Sequence, residues 1–203
     1  MAAETSGETC SGYSDQMIRA LILIITKDKD KIRLINNTAV QSLAYFVARK
    51  LDLDLAYTNI YYTMWSKKVS ETLLKLYKDG CLSRNTLKSR EKSYVITEKG
   101  ILELENFDER KRMLLLANLE FIGNTNKFAS RAIIELAKII DYTYQTSSDR
   151  DPYKTLTKIR LYGWFPTQRS FTNALLTLNR MKLPYKETSG EPIKKNRGGR
   201  KKI

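Results

Sequence analysis

The sequence predicts a mainly helical fold that contains one small β-hairpin. Apolar residues recur at intervals of three and four along most of the chain, which is the spacing of helices with one buried face. Gly80 interrupts this spacing, and two short extended runs follow it at 81–86 and 93–97. A clear helix start, Asp151 followed by Pro152, lies well beyond the hairpin. These observations favour two helical units, of which the first carries the hairpin.

The first unit is expected to span residues 14–106, after a disordered polar tail at 1–13. Its early part holds two amphipathic segments, each preceded by a residue that can cap the first helical turn. In chain order we expect a helix at 14–27 with a buried stripe of Met17, Ala20, Leu21, Ile24 and Ile25, a short strand at 32–35, and a helix at 37–50.

The segment 51–65 allows two interpretations. It is either an extra helical turn or the early part of one long helix that continues past residue 66. Aromatic side chains are concentrated here, namely Tyr57, Tyr61, Tyr62 and Trp65. Such side chains can contact the sugars and phosphates of a nucleic acid, but packing in a core or between subunits is the preferred interpretation.

The segment 66–100 is the most informative part of the chain. Val69, Leu73 and Leu76 recur on one helical face, and Gly80 can take the left-handed conformation that ends a helix. The two extended runs follow, separated by a charged tip, and Thr97 can cap the next helix. The tip contains Lys88, Arg90, Glu91 and Lys92.

This segment resembles the recognition helix and wing of winged-helix regulators of the MarR and PadR type. Their wings commonly close with a Tyr-x-(Leu/Ile)-Thr-x-x-Gly turn, which here reads Tyr94-Val95-Ile96-Thr97-Glu98-Lys99-Gly100. The resemblance is limited to residues 66–100. It implies a winged helix-turn-helix whose helix enters the major groove of DNA while the wing contacts phosphates or the minor groove.

The second unit is expected at 107–186, followed by a disordered basic tail at 187–203. Its acidic, apolar middle suits a homodimer interface or a bridge between units. The first unit is expected to end with a helix at 97–105. In the second unit the expected helices are 107–121, 129–144, 152–162 and 167–181. Residues 123–126 break the chain after the helix at 107–121, and Pro184 ends the last helix. In the helix at 107–121 we expect Met113, Leu114, Leu116, Ala117 and Phe121 to form the apolar face.

A shift of 102 residues aligns 67–76 with 169–178, with apolar positions coinciding and a basic residue leading each segment. This predicts a second helix-turn-helix in tandem with the first, although any two amphipathic helices share such a pattern.

Composition excludes several classes of site. The chain has no histidine, so a histidine metal ligand, a serine–histidine pair and an imidazole base are all absent. Its two cysteines, Cys10 and Cys81, form no disulfide framework, and no glycine-rich phosphate-binding loop occurs. We therefore expect a non-enzyme without cofactor or metal. With neither a signal core nor a membrane segment, it is expected in the cytoplasm, associated with the nucleoid.

Positive charge is concentrated in two blocks of a chain whose net charge is +14. Residues 58–100 carry 9 basic and 4 acidic groups, and residues 152–203 carry 13 and 2. Segregated positive charge is typical of a protein that binds a polyanion.

The first hypothesis is therefore a sequence-specific binder of double-stranded DNA, acting as a transcriptional regulator. A DNA-binding adaptor for plasmid or viral replication or partition, and a protein–protein winged-helix module, remain as alternatives. The absence of histidine disfavours an enzyme such as a tyrosine-dependent strand-transfer protein. The predicted DNA contacts are Ser66, Lys67, Lys68 and Ser70 in the first recognition helix, Lys88, Arg90 and Lys92 in the wing, Gln168, Arg169, Ser170 and Asn173 in the second helix, and Lys194, Lys195, Arg197, Arg200, Lys201 and Lys202 in the tail.

Overall fold

The computed structural model describes residues 10–27, 36–60, 63–86, 92–126, 129–147 and 152–183. Helices dominate this part of the chain, so the predicted mainly helical fold with a small hairpin is confirmed. None of the described helices is both long and apolar enough to span a bilayer. The elements are α1 (Cys10–Lys27), α2 (Asn37–Leu51), β1 (Tyr57–Ile60), β2 (Thr63–Ser66), α3 (Lys67–Lys78), β3 (Leu82–Thr86), β4 (Lys92–Ile96), α4 (Glu98–Glu105), α5 (Glu109–Asn126), α6 (Arg131–Thr146), α7 (Pro152–Leu161) and α8 (Gln168–Arg180).

Helix α1 lies at the centre of the first half of the molecule. Its predicted stripe is buried, and Ile18, Ile22 and Leu23, which lie outside that stripe, are buried as well. The helices α2, α3, α4 and α5 and the strand β4 all contact it. A helix that is apolar on nearly every side is suited to this central position.

The segment 51–65 is neither of the helical alternatives expected from the sequence. Helix α2 ends at Leu51, and the antiparallel pair β1–β2 follows, with Tyr57 opposite Ser66. Aromatic and β-branched residues favour this extended backbone, and burial alternates along β2, with Met64 and Ser66 facing inward. Tyr57 packs edge-on against Tyr45 and donates its hydroxyl hydrogen to the carbonyl oxygen of Gln41, in keeping with the preferred packing role.

The predicted hairpin after Gly80 is confirmed as β3–β4, in which Leu82 pairs with Ile96. Asn36 forms a single bridge with Ser93 on the other edge of β4. The short strand expected at 32–35 directly precedes this bridge but lies outside the described residues. Strand β3 contacts α3 and β4 contacts α1, so the hairpin is anchored beside the first three helices.

The helices α2, α3, α7 and α8 end in the same way. Each is followed by a residue with positive φ, namely Asp52, Gly80, Gly163 and Lys182. The amide of the next residue donates to the carbonyl oxygen five positions earlier, as in Cys81 to Leu76 and Trp164 to Ile159. This is the Schellman motif, which satisfies carbonyl groups that the helix leaves unpaired.

The expected course of α5 is wrong in two respects. The helix continues past Gly123 to Asn126, and the buried face carries Leu115, Leu119 and Ile122. Four residues of the predicted apolar face, Met113, Leu114, Leu116 and Ala117, are instead exposed. Because the unbroken apolar run from Met113 to Ala117 covers several sides of α5, its periodicity did not identify the buried side.

The helices α6, α7 and α8 form a second group in which α7 and α8 both pack on α6. Their bounds lie within two residues of those expected. Phe171, Ala174 and Leu178 of α8 are buried, as are Leu136 and Ile140 of α6.

Buried polar residues join α6 to α2. Asp141, which is fully buried, accepts hydrogen bonds from Tyr45 at 2.7 Å and from Arg49 Nε at 2.8 Å. Burial, reinforced by Asp141, raises the pKa of Tyr45 well above its ordinary value. One turn away, Lys138 pairs with Glu135 at 2.8 Å, and both contact Ser42. We call these six residues the polar seam.

Candidate nucleic-acid interface

The N-terminus of α3 presents fewer DNA-facing groups than expected. Ser66 is fully buried, accepts a hydrogen bond from the amide of Val69 and donates to the carbonyl oxygen of Leu55. It caps the helix, so its predicted contact with DNA is not compatible with this position. Ser70 is half-buried and bonded to Gln41 and to the backbone of Ser66.

The two lysines of this turn differ in surroundings. The side chain of Lys67 is 86% exposed and lies 3.5 Å from Glu71, one turn along the helix. Lys68 is 34% exposed and pairs with Asp15 of α1 at 3.2 Å. Such pairs are weak at a surface, so both lysines can exchange their partners for phosphate. Lys67 remains the best placed of the four predicted contacts in α3.

The rest of the outward face of α3 mixes chemical types. Glu71, Leu74, Lys75 and Lys78 are exposed on it, and Leu74 is 47% exposed. A carboxylate repels DNA phosphates, and an exposed leucine offers only apolar contact with thymine methyl groups. This face is therefore poorly suited to reading several bases.

The hairpin β3–β4 contains one cation that the sequence interpretation missed. Arg84 on β3 is exposed, and its guanidinium lies 4.9 Å from the centre of the Tyr77 ring. Arg84 lies two residues after the start of β3, on the same hairpin as the basic tip. This closeness in sequence could have identified it as a further candidate contact. Among the predicted wing residues, Lys88 and Arg90 lie outside the described residues, and only the backbone of Lys92 is described, at the start of β4.

A salt-bridge cluster fixes the end of α3 against α1 and α4. Arg19 of α1 binds both carboxylate oxygens of Glu103, at 2.8 and 2.9 Å, and also reaches Asp79 at 3.1 Å. The hydrogen bond from Arg19 holds the pKa of Glu103 below its ordinary value. Burial, with a further contribution from Glu103, raises the pKa of the Cys81 thiol to about 11. Cys81 therefore stays protonated at neutral pH and is not poised as a nucleophile.

The outward face of α8 is more uniform. Gln168, Arg169, Thr172 and Asn173 are all exposed on its first two turns. Thr167 caps the helix by accepting a hydrogen bond from the amide of Ser170 at 3.1 Å. Of the predicted contacts here, only Ser170 is half-buried, with its hydroxyl 2.9 Å from that of Thr167. Arginine, glutamine and asparagine are the side chains that bond base edges with two hydrogen bonds at once.

The segment 152–183, which comprises α7, the turn and α8, contains six basic residues and no acidic one. Two large apolar side chains are also strongly exposed at the turn, Leu161 at 81% and Phe165 at 77%. The partly buried Trp164 packs against the core from the same turn. A basic segment that contains no acidic residue of its own favours a polyanionic partner.

Helices α3 and α8 resemble each other at their ends, but no single offset in residue number aligns both their caps and their buried residues. Both have a hydroxyl cap, and the caps Ser66 and Thr167 are 101 residues apart. The buried residues Val69 and Phe171 are 102 residues apart, as in the predicted alignment. Helix α8 thus begins one residue earlier relative to its buried face, and the described residues contain no hairpin after it.

The remaining predicted contacts, Lys194, Lys195, Arg197, Arg200, Lys201 and Lys202, lie outside the described residues. Within the ranges that are described, no cluster of three or more potential metal ligands occurs. No protein-family model matches the chain, and no curated protein matches it either. Its function must therefore be inferred from its own residues.

Proposed function

We propose that this chain is a sequence-specific binder of double-stranded DNA that acts as a transcriptional regulator. Its first unit would be a winged helix within 14–106, and a second helix-turn-helix would lie within 107–186. The observation that carries the proposal is the segment 152–183, where arginine, glutamine and asparagine side chains are exposed at the start of α8 and six basic residues occur without an acidic one.

Helix α8 is the proposed reading helix of the second unit. Arg169 suits a guanine edge, and Gln168 and Asn173 suit an adenine edge, each through two hydrogen bonds. All three lie in the first two turns, and recognition helices contact base edges mainly with their N-terminal residues. Thr172 and the backbone amides at the start of α8 can bind phosphates on either side.

The first unit is proposed to hold the duplex backbone. The order α1, α2, α3 and hairpin, together with the bridge between Asn36 and Ser93, supports a winged helix in which β1–β2 is inserted between α2 and α3. Lys67, Lys68 and Arg84 would contact phosphates, and the basic wing tip would extend along the duplex. The tail at 187–203 would add affinity that is independent of sequence and falls steeply with salt.

Fluorescence anisotropy with labelled DNA tests this proposal. The wild-type protein should bind a duplex pool more tightly than the matching single strands, and Arg169→Glu should weaken duplex binding at least tenfold. Asp54→Asn, which alters the charge of an exposed residue on the connection before β1, is the matched control and should change little. Equal binding of duplex and single strands would contradict the proposal. Iterated sites away from promoters in a footprint would assign the protein to replication or partition instead.

One observation favours a second candidate, a protein partner for α3. Leu74 is exposed between Glu71 and Lys78, and Tyr77 is 37% exposed beside it. A mixed face of this kind suits a polar and apolar partner better than it suits DNA. Leu74→Ala should then leave duplex affinity unchanged, whereas a loss of affinity would place α3 in the groove.

A further inference from the structure

Helices α4 and α5 expose an apolar surface that the fold leaves uncovered. Leu102 is 60% exposed, Met113 58%, Leu114 48% and Leu116 38%, and Ala117 beside them is also exposed. We call these five residues the α5 patch. No other helix pair in the described part of the chain exposes as many large apolar side chains.

The α5 side of the patch borders the end of α4. Met113 and Leu116 line a groove together with Leu104 and Glu105 from the end of α4, and Lys27 and Arg112 close it. Leu102 lies one turn before Glu105 on α4. A contiguous apolar surface with a polar rim marks an interaction site more often than it marks chance exposure.

We propose that the α5 patch binds a second copy of this chain, with the two α5 helices antiparallel about a two-fold axis at Leu115. Leu115 marks only the level of the axis along the helix, because its side chain is buried in its own subunit. The axis itself passes through the outward side of α5, opposite the Leu115 side chain. This proposal does not depend on DNA binding.

The order of residues along the outward face is what selects a second copy as the partner. Arg110, Met113, Ala117 and Glu120 follow one another at helical spacing, and all four are exposed. Around an axis at Leu115, Met113 lies opposite Ala117 of the partner subunit, and Arg110 lies opposite Glu120 of the partner subunit. The stripe is thus complementary to itself, as a two-fold interface requires.

The charge of the surroundings supports the same partner. Residues 101–151 carry 7 basic and 9 acidic groups, whereas the whole chain has a net charge of +14. The positive charge lies mainly in 58–100 and 152–203, so two copies repel each other less through a near-neutral region such as 101–151. Among the described residues, neither Arg110 nor Glu120 forms an ion pair within its own chain.

Sedimentation equilibrium without DNA tests the proposal. Wild-type protein in the micromolar range should reach twice the chain mass of 23.5 kDa. Leu116→Lys places a charge in the apolar centre and should weaken dimerisation at least a hundredfold. Leu116 is exposed in the single chain, so the variant should keep its helical circular dichroism. A wild-type protein that stays monomeric throughout, or a Leu116→Lys variant that dimerises normally, would overturn the proposal.

A charge swap tests the antiparallel register. Arg110→Glu and Glu120→Arg should each weaken dimerisation about tenfold, because each turns two symmetry-related attractions into repulsions. The double variant exchanges the charges and should restore dimerisation to near the wild-type level. A double variant as weak as the single ones would refute the antiparallel pairing.

A matched control uses the exposed apolar residues of the α7–α8 turn. Leu161→Ala and Phe165→Ala remove apolar surface away from α5 and should leave dimerisation unchanged. If these changes dissociate the dimer as strongly as Leu116→Lys does, the interface is at α7–α8 and the proposal fails.

Discussion

Helices α3 and α8 are built alike, but they present different outward faces. Each begins with a hydroxyl cap, buries an apolar stripe and ends in a Schellman motif. The face of α3 mixes lysines with Glu71 and Leu74, whereas that of α8 carries Gln168, Arg169, Thr172 and Asn173 in a segment without acidic residues. The local sequence signature of a DNA-binding helix and the side chains best able to read bases thus occur in different helices.

The connections that lead into the two helices also differ. Before α8, the left-handed position is occupied by Gly163, which adopts it without strain. Before α3, the left-handed positions are occupied by Asp52 and Ala56, and a whole hairpin is inserted between α2 and α3. The approach to α3 is therefore more elaborate and more strained than the approach to α8.

Breaking the polar seam should have the largest effect, because the seam joins α2 to α6 through buried groups. Asp141→Ala leaves Arg49 and the hydroxyl of Tyr45 without their buried acceptor and should lower the free energy of unfolding by about 3–5 kcal/mol. Denaturant unfolding followed by circular dichroism measures this loss. Glu105→Ala at an exposed site is the control and should change stability by no more than about 0.5 kcal/mol. A loss below about 1 kcal/mol for Asp141→Ala would mean that the seam does not hold α2 and α6 together.

Arg169→Ala should affect recognition more than stability. Losing a side chain that bonds a guanine edge should cost about 1–3 kcal/mol on a preferred duplex and much less on a scrambled duplex. Anisotropy titrations on the two duplexes measure the difference. Arg160→Ala removes an exposed cation in α7, outside the proposed reading helix, and should weaken both duplexes equally. An equal loss on both duplexes for Arg169→Ala would remove α8 from base reading.

A smaller effect is expected from the cluster that anchors the end of α3. The pKa of Glu103 is lowered by its bond with Arg19, so this bond stabilises the fold above the ordinary pKa of 4.5 and is lost as pH falls through the lowered value. Glu103→Gln should therefore be less stable than wild type at neutral pH, and the gap should close in acid. Thermal unfolding across this pH range checks the sign. A gap that widens in acid would contradict the assigned interaction.

The smallest effect concerns the strained approach to α3. Ala56 has a φ of 46°, a conformation that glycine adopts more easily. Ala56→Gly should raise stability by up to about 1 kcal/mol, whereas Ala132→Gly in the ordinary helix α6 should lower it. Opposite shifts in melting temperature would confirm this reasoning, and a loss in both variants would show that position 56 is not strained.

The sequence predicted the elements whose signals are local. The cap at Thr97, the stop at Gly80 and the start at Pro152 each act within one turn, and the helices and hairpin near them formed as expected. The pair β1–β2 was missed because its stability comes from pairing between strands and from contacts with α6, which short-range periodicity does not report.

The surfaces were harder to predict than the elements. Ser66 has the residue type of a DNA contact, but Leu55 and Gln41 cover it from distant parts of the chain. From their charge, Lys138 and Asp141 would be expected at the surface. They are buried because Lys138 pairs with Glu135 on the same helix, and Asp141 accepts a hydrogen bond from Tyr45 on α2. Burial of this kind depends on tertiary contacts, as does the uncovered side of α5.

Selection of bound sequences from a random duplex pool tests most directly the central claim that α8 reads the bases. Three proteins are compared in parallel: wild type, an α8 variant and an α3 variant. The α8 variant carries Gln168→Ala, Arg169→Ala and Asn173→Ala, and the α3 variant carries Lys67→Ala and Lys68→Ala. We expect wild type to enrich a defined motif, the α3 variant to enrich the same motif with lower recovery, and the α8 variant to lose part or all of it. If the α8 variant enriches the full wild-type motif while the α3 variant loses it, base reading belongs to α3 and the account is contradicted. If wild type enriches no motif at all, sequence-specific binding itself is refuted.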